Sequence, residues 1–215
     1  KTFADAQTKS RAELTAAPSR AGTPAMRELF NAGAGKKTSR LLCASFAAAE
    51  SICTIDDRNI RVFSSDGREL RTLTADAPVR VIHPWKEYDL LLAGCADEKV
   101  IAFDIDSGVR KWTFTSEMPP EVIAAAKQYW FKSTYPGIYG IHTGVFLNGE
   151  SQAFIGSTCT LEMLDSGGKL VKRLPVFWGP GTVFNMLDRS DGSTDLVFAR
   201  YPNDGDRPAV INSRT

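Results

Sequence analysis

The feature that most restricts what this chain can become is a repeat. One block runs from Ser51 to Leu73, and a second with the same layout runs from Leu92 to Phe114. Each places a polar turn before an apolar strand, then an Asp/Gly turn, then an alternating strand. Phe63 and Phe103 hold matching positions, separated by the length of one four-stranded blade. A third copy spans 154–174, but its Gly156 follows Gly94 by much more than one repeat length, so a segment is inserted ahead of it. A fourth copy, 183–187 followed by 195–199, is shorter. Units of this length cannot bury an apolar face alone and become stable by stacking on one another.

Apolar and polar residues alternate within each unit, with β-branched and aromatic types frequent. Asp66-Gly67, Ser107-Gly108, Asn148-Gly149 and Asp191-Gly192 supply positive-φ turns between strands. A blade-length repeat built of four strands predicts an all-β chain, a β-propeller of four-stranded antiparallel blades, with about three and a half blades present. The expected blades are 40–79, 80–118, 138–178 and 179–215, within a partial propeller over 27–215. The insertion 119–137 opens with Pro119-Pro120 and Glu121, followed by three alanines, which predicts one short helix there. Residues 1–26 are expected to be poorly structured or the remnant of a preceding blade, and Met26–Phe30 reads as that blade's last strand. A closed propeller needs about four to eight blades. The arc is therefore expected to be completed by the remainder of a longer chain or by a second copy.

Charge narrows the partners. Lys and Arg number 26 against 25 Asp and Glu, so there is no field to attract nucleic acid, and no apolar stretch is long enough to span a bilayer. Neither a nucleic-acid nor a membrane role is expected. Four cysteines without a C-x-x-C pair fit neither a zinc nor a thioredoxin-type site, and they read as buried small residues. The start at Lys1, without Met and without an apolar leader, suggests a mature secreted chain or an excised piece. An extracellular or periplasmic location is the expectation. Ala32 to Ser39 invites a phosphate-loop reading, but Phe30 stands where the motif requires its first glycine, and the segment reads as a Gly-rich turn.

Asp97, Ala102, Phe103, Asp104, Gly108 and Trp112 match the repeat of quinoprotein-type (PQQ-like) propellers, and the segment 96–114 resembles it. Glu98 stands where that family has glycine. The segments 147–150 and 188–197 resemble the Asp-rich hairpins of FG-GAP propellers. That second resemblance implies calcium as a possible ligand of Asp188, Asp191 and Asp195. Enzymatic quinoproteins hold their cofactor with an adjacent cysteine pair, and this chain has none, so no organic cofactor is implied. Propellers of this mixed type are also similar to modules of heparinase-like polysaccharide lyase proteins.

Both histidines, His83 and His142, fall in what should be the innermost strands of consecutive blades. As a pair they are candidates for an acid/base couple or a metal site. Tyr129, Trp130, Lys132, Tyr135 and Tyr139 cluster in and beside the insertion, a pattern suited to stacking on sugar rings and contacting uronic carboxylates. Trp85, two residues after His83, joins Tyr129, Trp130 and Lys132 as a ligand-binding candidate. The reading these residues support first is a non-catalytic binding or scaffolding module, with a carbohydrate or protein ligand, in a carbohydrate-processing protein. The alternative is part of a lyase, in which His83 or His142 with Tyr135 or Tyr139 abstracts the proton beside a uronate carboxylate. A third is a protein-interaction propeller of the WD40 kind.

Overall fold

The computed structural model describes residues 40–45, 50–117, 137–147, 149–157, 160–175, 184–198 and 209–213, with Pro120 and Ala124 as isolated positions. The chain divides into two compact units, Lys1–Asn31 and Ala32–Thr215, and everything described belongs to the second. The N-terminal strand expected at Met26–Phe30 lies outside the described residues, and so does the helix expected in the insertion apart from Pro120 and Ala124, both of which are helical.

The described residues form a β-propeller-type array of antiparallel sheets. Sheet 1 is β1 (Arg40–Ser45), β2 (Glu50–Asp56), β3 (Asn59–Ser64) and β4 (Glu69–Thr74). Sheet 2 is β5 (Val79–Trp85), β6 (Leu90–Cys95), β7 (Lys99–Asp104) and β8 (Arg110–Thr115). Sheet 3 is β9 (Gly140–Val145), β10 (Ser151–Gly156), β11 (Thr160–Leu164) and β12 (Leu170–Pro175). Sheet 4 has three strands among the described residues, β13 (Phe184–Asp188), β14 (Thr194–Phe198) and β15 (Ala209–Asn212). Every sheet is a meander in sequence order, and the first strands β1, β5, β9 and β13 lie beside one another as the innermost row.

Burial follows from this stacking. In sheets 2 and 3 the second strands β6 and β10 are buried at every position, because a neighbouring sheet covers each face. The outer strands β4 and β8 keep an exposed side. Three apolar layers fill the junctions. One, between sheets 1 and 2, includes Cys53, Ile60, Leu91 and Ile101. Another, between sheets 2 and 3, includes Trp85, Leu92, Ile138 and Ile155. Phe154, Met163, Phe184 and Leu196 belong to the layer between sheets 3 and 4.

The turns obey one rule. Gly67, Gly108, Gly149 and Gly192, the glycines named from the sequence, all have positive φ. Glu98, the departure from the quinoprotein repeat, adopts φ 64 as well, so the backbone keeps the left-handed geometry that glycine favours without the glycine.

Candidate functional site

The inner row gathers the two histidines. His83 on β5 and His142 on β9 have ring centroids 5.2 Å apart at 53°. The His142 ring in turn meets the Phe184 ring of β13 edge-on at 4.8 Å. One ring from each of sheets 2, 3 and 4 thus forms a short ladder. Burial pushes the His83 pKa down to about 4, helped by repulsion from His142 and Lys86. Burial also lowers the pKa of His142, against a hydrogen bond with the Phe184 backbone that raises it. Both rings are therefore neutral near pH 7, the form that accepts a proton or a metal ion.

Tyr139, the described tyrosine among the lyase candidates, does not join them. Tyr139 precedes β9, three residues from His142, a spacing that sends the two side chains to opposite faces of extended backbone. The Tyr139 ring instead lies under the Arg80 guanidinium, 4.7 Å from its centroid. Tyr135, Tyr129, Trp130 and Lys132 lie outside the described residues. Trp85 corrects its expected role: it is 0% exposed, and its Nε1 donates to the Ser151 Oγ of sheet 3 at 2.8 Å. A ring sealed on both faces offers nothing to a ligand, so Trp85 is a tie between sheets.

The Asp-rich hairpin is also corrected. Asp195 forms an ion pair with Arg189 and accepts from Asn212 Nδ2 at 2.7 Å. Asp191 accepts from the Ser193 backbone N–H and Oγ at 2.9 and 2.7 Å, and Asp188 accepts from Thr194 Oγ1 at 3.1 Å. Arg189 supplies the positive charge a calcium ion would bring, and the other carboxylates brace the turn, so this donor set does not fit a hard cation. Among the described residues no cluster of three or more His, Cys, Asp or Glu is placed to hold a metal.

Two groups escaped sequence reading. Glu162 on β11 is 0% exposed; Arg173 Nε donates to its Oε1 at 2.7 Å, while Oε2 has no hydrogen-bond partner among the described residues. Burial raises its pKa, against hydrogen bonds with Ser116 and Arg173. A charged residue inside the apolar run Thr-Leu-Glu-Met-Leu was the available signal. The second group is a surface. In each meander the turn after the first strand and the hairpin after the third share one side of the blades. On that side sit Tyr88 in the turn after β5, Val145 ending β9, Leu187 near the end of β13 and Val109 in the β7–β8 hairpin. Leu70 and Val171 are the second residues of β4 and β12 there too, and all six side chains are exposed. Apolar residues flanking turns were the signal for this one.

No protein-family model matches the chain, and no curated protein matches it. Solved structures do, through the fold alone. The chain is similar to the crystal structure of BBS1N in complex with ARL6DN, at 14% identity and TM-score 0.56 over 82% of this chain and 50% of that one. It is similar to the WD40 β-propeller domain of Doa1, at 13% identity and TM-score 0.52 over 83% of this chain and 51% of that one. The computationally designed Ika4 protein matches at 13% identity and TM-score 0.57, over 86% of this chain and 98% of that one. The chain thus spans about half the length of the BBS1N and Doa1 chains. These likenesses carry the propeller architecture.

Proposed function

We propose that the chain is a non-catalytic propeller module that binds a protein partner through the side of the blades formed by the turns after the first strands and the hairpins after the third. The observation that carries this reading is the gathering there of Leu70, Tyr88, Val109, Val145, Val171 and Leu187. Exposed apolar side chains on one side with exposed charged neighbours in sequence, here Lys86, Glu87, Arg110 and Lys169, have the composition of a protein-binding surface. Five of the six are aliphatic, whereas a sugar ring is recognised by flat aromatic faces. That composition favours a protein over a carbohydrate. The separation of Tyr139 from His142 weighs against β-elimination.

The test is retention of proteins from a native extract on the immobilised chain, with Tyr88→Asp and Val109→Asp as comparisons, beside an assay for unsaturated uronate product by its ultraviolet absorbance. A protein held by the unaltered chain and released by both substitutions, with no uronate product, is the expected outcome. Retention indifferent to both substitutions, or turnover of a uronate polymer, overturns the reading.

A further inference from the structure

The chain has only two histidines, distant from each other in sequence, and the fold makes them neighbours on adjacent innermost strands. Their use need not end at packing. We propose that His83 and His142 together ligate a borderline divalent transition-metal ion, zinc being the probe, on the inner edge of sheets 2 and 3.

The separation of the rings suits one ion without moving the strands. Two imidazoles on one tetrahedral zinc, each with a Zn–N bond of about 2.0–2.1 Å, have ring centroids roughly 5 Å apart; the observed separation is 5.2 Å. Both ligands stand on strands of four-stranded sheets, and the residues beside them are tied directly, Thr143 Oγ1 donating to the Pro84 carbonyl at 3.3 Å. The spacing is therefore held by the scaffold, which a metal site requires. His142 has a further feature of ligating histidines: a hydrogen bond to the Phe184 backbone, which fixes one ring nitrogen and the plane of the ring and leaves the other nitrogen to donate. Both histidines are half-buried, so an ion has a route in from solvent.

Imidazole nitrogen selects zinc, copper(II) or nickel over magnesium and calcium. No carboxylate or thiolate among the described residues forms a cluster with the pair. Two protein ligands leave coordination positions to water or to a donor group of a bound partner. The ion then acts as a bridge or an open Lewis acid rather than as a structural staple. This inference stands apart from the protein-binding surface, because the rings lie in the inner row and the exposed apolar residues lie at the turns.

The experiment is a calorimetric titration of zinc into the metal-stripped chain, repeated on His83→Gln and His142→Gln, with circular dichroism confirming that each variant is folded. One ion per chain, bound roughly 10-fold or more weakly by each variant, is expected. Absence of zinc binding, or binding that survives either substitution, overturns the proposal. Should a variant fail to fold, the ring-proton signals of the two histidines in the unaltered chain decide. Both must shift together on adding zinc, and a shift of one or neither overturns the pair as a site.

Discussion

The junction between sheets 2 and 3 and the outer face of sheet 4 are made from strands of the same kind and have opposite fates. At the junction Trp85 is sealed and bonded to Ser151, and Trp112 Nε1 donates to the Ser166 carbonyl at 2.9 Å. The Trp112 ring also lies so close to Gly168 that a Cβ there would meet it at 2.5 Å. On sheet 4, Phe184, Met186, Leu196 and Ile211 turn toward sheet 3. The opposite face carries Leu187 and Val210, each 52% exposed. Alternation along a strand supplies two faces; a neighbouring sheet decides whether the second is core. Stability in this molecule is accordingly a property of junctions.

The largest expected effect is at the junction. Trp85→Ala removes the biggest sealed side chain among the described residues and orphans Ser151 Oγ, and should cost about 3–5 kcal/mol in denaturant unfolding. A loss below about 1 kcal/mol would break the contrast between the two regions. Next comes pH. The folded-state pKa of His83 lies near 4, below its ordinary value of 6.5, so the unfolded chain binds the proton more readily. Stability from this group is complete above about pH 6.5 and drains away toward pH 4, by up to about 3 kcal/mol and less where water screens the ring. Glu162, with its raised pKa, acts in the opposite sense, favouring the fold as pH falls. The difference in melting temperature between the unaltered chain and His83→Gln, followed from pH 8 to pH 4, isolates the histidine; parallel profiles would refute its assignment.

A smaller effect is expected at Gly168, whose φ of 80 and contact with Trp112 both resist a side chain. Gly168→Ala should cost about 1–3 kcal/mol and shift the Trp fluorescence. Unchanged fluorescence would mean that Trp112 does not rest on this hairpin. The smallest effect belongs to the other region. Leu187→Asp should change unfolding free energy by about 0.5 kcal/mol or less. A large loss there would show that something covers this face of sheet 4 in solution.

Much of the fold was legible because the repeat carries it. The matching of Phe63 with Phe103, and the four Gly turns, place strands and hairpins where they occur. The histidine pair was legible for the same reason, since repeat position alone puts both on first strands. Trp85 was misread because its alternation marks it as buried or exposed only once the neighbouring sheet is known, and Ser151 is remote from it in sequence. The calcium reading failed on a single residue. Arg189 looks like a solvent-facing turn residue until Asp195, across the hairpin, is seen to face it. Glu162 stood out as a lone acid in an apolar strand, but its meaning comes from Arg173 on the next strand.

The sequence-ordered meander has a kinetic side. Every hydrogen-bonded strand pair among the described residues joins neighbours along the chain, so loop closure within a sheet is cheap and the junctions demand the longer-range encounters. A linear stack of such units can nucleate at its best-packed junction and spread outward one sheet at a time. The junction of sheets 2 and 3 should then be the last place where backbone amides exchange with solvent. Exchange should quicken stepwise from that junction toward the more exposed strands of sheet 4.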